Sequence, residues 1–133
     1  MKRLEVLLSR ATGYFGVTNY LGGRFLSSDT AMTTLSAALR QRGLAFVDDG
    51  AAAARGGGEP RASAELVIDQ NLDGGSIDQE LAQLESSAGQ HGKALGSGFA
   101  YPVTLQEVQR WAAGLSGRGL QLAPASAVTS RRQ

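Results

Sequence analysis

The chain has no cysteine and a single histidine among 133 residues. The first absence excludes disulfides and thiolate metal sites, and leaves the redox compartment open. The second excludes multi-histidine metal sites within this chain, and the absence of cysteine also excludes thiol catalysis. Charge of one sign is also lacking: 13 Lys and Arg against 12 Asp and Glu give a formal charge of +1. That balance offers no electrostatic case for nucleic acid or an anionic membrane surface. No apolar run approaches the roughly 18–20 residues of a membrane span. The short apolar start is broken by Glu5 and Arg10, and Leu4, Leu7 and Leu8 have helical spacing, so it reads as an amphipathic helix and not an export signal.

What is abundant is glycine, 18 residues falling mostly at turns. A local unit of helix, basic residue, glycine and strand recurs at Arg42-Gly43-Leu44, His91-Gly92-Lys93 and Arg118-Gly119-Leu120. The basic residue suits the negative helix end, and glycine supplies the left-handed turn that closes it. Successive connections of this kind are what a parallel sheet needs, so the fold class is α/β, with about five strands and four helices.

The spacing predicts a helix over residues 2–11 and a β-prone run over 14–18. A second helix is capped at Ser28 or Asp29, buries Met32, Leu35, Ala38 and Leu39, and stops at Gly43. Residues 44–47 form a strand ending at Asp48-Asp49. The low-complexity residues 50–63 read as a mobile surface excursion, with one helical turn at alanines 51–54. A short strand ends at Asp69. Ser76 with Gln79 reads as a capping box for a helix to Gln90, and residues 93–97 as a strand. Thr104 with Glu107 reads as a second box, opening a helix with Leu105, Val108, Trp111, Ala112 and Leu115 inward. Residues 120–123 form a last strand, and residues 128–133 a frayed polar tail.

In a parallel layout the strand ends fall on one rim, where α/β proteins place their chemistry. That rim carries Asn19, Asp48, Asp69 and the corner Gly98-Phe99-Ala100-Tyr101. Carboxylates there can bind a metal, hold sugar hydroxyls, act as acid and base, or cap the following turns. Arg24, beside Gly22-Gly23, is placed to hold an anionic group or to stand as an exposed structural arginine. No serine has a nucleophile-elbow context, Gly96-Ser97-Gly98 is too short for a phosphate fingerprint, and Trp111 reads as core.

Five stretches occur in a familiar order: YFGVTNYLGGRF from Tyr14, RGLAFVD from Arg42, VID from Val67, ALGSGFAYPVT from Ala94 and GLQLAPAS from Gly119. In these the chain resembles the divergent polysaccharide deacetylases, relatives of the NodB-type carbohydrate esterases. The resemblance implies an incomplete form of a distorted (β/α) barrel. Residues 1–128 would be the C-terminal portion of that domain and 129–133 a polar tail. It further implies hydrolysis of N-acetyl groups on an envelope polysaccharide, with a divalent metal such as zinc as cofactor and a periplasmic or envelope setting. By matching position, Asp48 and Asp69 would be catalytic and Asn19 and Tyr101 would bind the acetylated polysaccharide or peptidoglycan fragment, with Arg24 joining them from its place beside Gly22-Gly23. Many members carry histidine where this chain has Tyr20 and Phe99, so the metal residues stay unassigned. Three alternatives follow: altered chemistry, a saccharide-binding or scaffold protein without hydrolysis, or a truncated fragment prone to self-association through exposed sheet edges.

Overall fold

A computed structural model describes residues 2–50 and 57–131. In chain order the elements are α1 (Lys2–Leu8), β1 (Gly16–Thr18), α2 (Gly23–Leu26), α3 (Asp29–Arg42), β2 (Ala45–Asp48) and β3 (Pro60–Ser63). Then come β4 (Leu66–Val67), α4 (Gly74–His91), β5 (Gly96–Ser97), α5 (Pro102–Gly114), a 3-10 turn (Ser116–Arg118), α6 (Ala125–Val128) and β6 (Ser130–Arg131). They form two compact units, residues 1–63 with 129–133, and residues 64–128. Parallel strands lie in open sheets, and among the described residues neither sheet closes into a barrel.

The first unit is built on a sheet ordered β1-β2-β3-β6, parallel except for the β3–β6 pair. Gly16 pairs with Ala45 at so close an approach that a Cβ there would meet the Ala45 carbonyl oxygen at 2.5 Å. Helix α3 follows its sequence signals. Ser28 caps its first turn by accepting from Ala31 N, and Gly43, at φ 66°, closes it while Leu44 N donates to Leu39 O. Its buried face carries Met32, Leu35, Ala38 and Leu39, which pack with Leu8, Leu26, Leu44 and Phe46. Helix α1 ends three residues short of its expected end; Leu8 is buried, whereas Leu7 is exposed.

The expected mobile excursion contains a strand. Pro60–Ser63 pairs in parallel with β2, placing Arg61 beside Phe46 and Ser63 beside Asp48. Glycine and proline stop a regular element only as far as Pro60, which as the strand's first residue needs no ladder donor. The expected helical turn at residues 51–54 lies outside the described residues. The start of the expected frayed tail is also ordered, as Ser130 and Arg131 pair antiparallel with Arg61 and Pro60.

The second unit packs α4 and α5 with the two-stranded parallel sheet β4–β5. Ile68, Ile77 and Leu81 form its buried centre, with Leu66, Val103, Val108 and Trp111 against them. Helix α4 starts before the expected box. Asp73 caps it by accepting from Ser76 N at 2.9 Å and the Ser76 hydroxyl at 2.6 Å, bonds that hold the Asp73 carboxyl below its usual range. Helix α5 starts at Pro102, with Tyr101 at the N-cap position. Thr104, Glu107, Val108 and Trp111 face inward, and Leu105 is exposed, contrary to expectation. Residues 120–123 form no strand. Leu120 N is spent on Leu115 O, and the segment lines an apolar cavity of about 590 Å³ with Leu84, Trp111 and Leu115.

Glu85 ties this unit's helices to the 3-10 turn. It accepts from Arg118 Nη2 at 2.7 Å, Arg118 Nε at 3.0 Å and Trp111 Nε1 at 2.6 Å. The Arg118 hydrogen bonds, aided by Trp111 and opposed by burial, hold the Glu85 carboxyl below its usual range. A carboxylate with a depressed folded pKa adds stability above its unfolded value, about 4.3 for glutamate, and loses it as pH falls through the folded value. Glu85→Gln is therefore expected to destabilise the unit near pH 7 and to converge on the parent once the pH has fallen below the folded value of Glu85. Urea midpoints followed by Trp111 fluorescence measure this; an equal offset at both pH values contradicts it.

Candidate functional site

The candidate residues fall in two groups, one in each unit: Asn19, Arg24 and Asp48 in the first, Asp69 and Tyr101 in the second.

Asp48 ends β2, and its pairing partner across the sheet is Ser63. Alternation along a strand puts Phe46 and Asp48 on one face, and the same rule aligns Glu59, Arg61 and Ser63 on the neighbouring strand's approach. The result is a buried polar row. Asp48, 1% exposed, accepts from Ser63 Oγ at 2.8 Å and from Gly50 N at 2.8 Å, with Arg61 Nε 4.0 Å from Oδ2. Arg61 Nη2 donates to Glu59 Oε1 at 2.7 Å, and its guanidinium lies 5.1 Å from the Phe46 ring centre. The Ser36 hydroxyl, from α3, donates to the same Glu59 oxygen at 3.1 Å. Ser36, Glu59, Arg61 and Ser63 escaped the sequence reading. Their one signal was the two-residue spacing of Glu59, Arg61 and Ser63, hidden by the glycines that precede it.

Asn19 follows β1 with both ends of its amide engaged. Its Oδ1 accepts from Asp49 N at 3.1 Å, and its Nδ2 donates to Leu21 O at 3.1 Å. Arg24 lies on α2, exposed.

In the second unit Asp69 follows β4 and is 4% exposed. Its Oδ2 accepts from Phe99 N at 2.7 Å and from the Thr104 hydroxyl at 2.8 Å. One oxygen thus ties the exit of β5 to the first turn of α5, and Oδ1 is buried with no hydrogen-bond partner. The expected capping role of Thr104 is accordingly replaced by this bond to Asp69. Gly98 lets the strap close, since a Cβ there would meet Ile68 Cγ1 at 2.9 Å. The backbone turns at Ala100, with Tyr101 N donating to Phe99 O at 2.9 Å. Pro102 then fixes the entry to α5. The outcome is two exposed rings, Phe99 and Tyr101, with centroids 6.2 Å apart and planes tilted by 57°.

Among the described residues the side chains do not gather into a ligand set for a divalent metal, since no three His, Asp or Glu side chains cluster. Phenylalanine at 99 offers no lone pair. Asp48 is already satisfied by Ser63, Gly50 and Arg61. His91 ends α4, its Nδ1 3.1 Å from Ser87 O, where it suits the helix dipole.

Comparison with known proteins bears on this geometry. A family model described as divergent polysaccharide deacetylase matches residues 1–129. The crystal structure of an uncharacterized protein from Agrobacterium tumefaciens C58 is similar, with a TM-score of 0.82 and 30% sequence identity. The similarity covers 96% of this chain and 55% of that one, so the chain spans about half the length of this neighbour. No curated protein matches it.

Proposed function

The chain belongs to the divergent polysaccharide deacetylase family, and from that premise we propose that it serves in recognition of an acetylated envelope saccharide without itself hydrolysing the acetamide. Membership supports a carbohydrate deacetylase-like protein. The corner at Phe99 supports recognition over hydrolysis. Where the family resemblance expects histidine, this chain holds an exposed phenylalanine, paired with Tyr101 and tied in place by Asp69. Metal-assisted amide hydrolysis needs ligands that fix the ion and a group that moves a proton. A benzene ring supplies neither. It does supply a flat apolar face of the kind on which the C–H face of a pyranose packs.

In this reading Asp69 is a positioning residue. Its carboxylate accepts a backbone N–H and a hydroxyl, charge-assisted bonds stronger than neutral ones, and thereby fixes the corner that carries the rings. Asp48 belongs to the buried row that holds β2 to β3. The ligand class is an acetylated polysaccharide or peptidoglycan fragment, and the setting is the envelope.

The test is to mix the chain with acetylated chito-oligosaccharide and zinc, measuring acetate while following the aromatic proton resonances of Phe99 and Tyr101. The expected result is ring shifts that saturate with saccharide and no acetate above the blank. Acetate release that depends on zinc, or rings that do not respond, overturns the proposal.

A further inference from the structure

We propose that the apolar cavity of the second unit is a binding site for a single-chain fatty carboxylate. It is separate from the Phe99–Tyr101 corner and does not rest on the saccharide reading.

Helix α4 presents Ile77, Leu81, Leu84 and Ala88 at helical spacing. The first half of that stripe is packed shut, with Ile77 and Leu81 at 0% and 2% exposure. The second half is not. Leu84 and Ala88 are only half-buried, as are Leu95, Trp111 and Leu120, which line the same cavity. Residues 120–123 form part of the opposite wall. Among the described residues they join no ladder, so the wall does not close on the helix. The space left is about 590 Å³, within the range of about 300–1,000 Å³ in which proteins hold small ligands. Its walls all belong to residues 64–128, and neither Phe99 nor Tyr101 is among them. An apolar wall costs free energy while water covers it, and a hydrocarbon chain that takes the water's place recovers that cost. At roughly 30 Å³ for each group of water's size, a chain of about ten carbons takes half of the volume.

Charge sets the head group. Two ionic side chains line the cavity, Glu85 and Lys93. Glu85 is neutralised in place by Arg118, at 2.7 Å and 3.0 Å. Lys93 Nζ donates to the main-chain oxygen of Val128 at 3.1 Å and has no acidic partner among the described residues. The charge left over at the wall is therefore positive. Its complement is an anion carried on an apolar tail, and a carboxylate pairs with an ammonium through charge-assisted hydrogen bonds. A fatty carboxylate supplies both parts, whereas the matching alcohol supplies the tail alone. The tail contributes most of the affinity, and Lys93 contributes the preference for the acid.

Trp111, the chain's single tryptophan, lines the cavity and reports its filling. The test is a fluorescence titration of the full 133-residue chain at low salt with decanoate, octanoate and 1-decanol, each kept below its micelle or solubility limit. Decanoate is expected to change the Trp111 emission saturably, at one site per chain. Octanoate, two methylenes shorter, should bind about tenfold weaker. Decanol should bind about three- to fivefold weaker, the worth of one exposed ion pair. Lys93→Gln should bring decanoate down to the affinity of decanol. Ala88→Phe, which puts a ring into the space, should abolish the response to all three. Far-ultraviolet circular dichroism checks that each variant folds; Lys93 is exposed, and the three-probe comparison on the parent needs no variant. No saturable response to decanoate, or octanoate binding as tightly as decanoate, overturns the proposal. Equal affinity for decanoate and decanol, or a preference that survives Lys93→Gln, overturns the carboxylate assignment. Undiminished binding in a folded Ala88→Phe chain puts the ligand elsewhere and overturns the site.

Discussion

Arg61→Met is expected to destabilise the chain by about 3–5 kcal/mol, lowering the melting midpoint on the order of 10–20 °C. The arginine side chain is 5% exposed and sits within 2.7 Å of Glu59, whose side chain is 1% exposed. It also lies 4.0 Å from the Asp48 carboxylate, which is wholly enclosed. Removing the guanidinium leaves both acids buried without this cation, and desolvation that was offset by attraction is no longer offset. The methylene stem and the contact with Phe46 are largely preserved by methionine, so the loss reports charge and not volume. The pair replacement Glu59→Leu with Arg61→Met removes one carboxylate as well as the cation. It should recover a substantial part of the loss, since an apolar pair carries no unpaired charge. Urea unfolding followed by far-ultraviolet circular dichroism measures both. A single variant within about 1 kcal/mol of the parent would mean that the buried row does not form in solution.

The second large effect is on binding. Phe99→Ala and Tyr101→Ala are each expected to weaken chito-oligosaccharide affinity about tenfold, and together by up to about 100-fold. The rings are 54% and 47% exposed, yet their backbone is fixed at three points: by Asp69, by the Tyr101–Phe99 turn and by Pro102. A ring presented by a rigid corner loses little freedom when it is covered, which makes it an efficient contact. Because neither ring belongs to the buried centre of its unit, stability should change little. Titration calorimetry on the single and double variants decides it. Unchanged affinity in the double variant places binding elsewhere.

Local signals made α3 legible in the sequence almost residue by residue. Ser28, the apolar spacing of Met32, Leu35 and Leu39, and Gly43 all act within a few residues of one another. The same holds for the left-handed glycines at 92 and 119. The parallel α/β character was also legible, because glycine exits and short apolar runs carry it. The α4 start was misplaced, since Asp73 and Ser76 are both good caps and only the backbone decides which one closes the turn. What stayed hidden depended on partners far along the chain. β3 exists because Arg61 and Ser63 find Phe46 and Asp48 across the ladder, and a charged pair just after a run of glycines looks like surface until those partners are known. Residues 120–123 have strand composition, yet among the described residues no neighbour supplies the ladder. Among the candidate residues, Asp69 and Tyr101 were singled out by their place at strand exits, and the structure ties both to the corner that leads into α5, while Asn19 lies in the other unit. The engagement of Asn19 and Asp69 with backbone and hydroxyl groups, which makes Asp69 a positioning residue in this reading, depends on geometry that spacing does not encode.

The most direct measurement of the central claim is a titration of the chain with acetylated chito-oligosaccharide, first in excess chelator and then with added zinc. Recognition by the Phe99–Tyr101 corner predicts one dissociation constant under both conditions, lost in the double ring variant. Binding that appears only with zinc, or acetate that accumulates with it, contradicts the account.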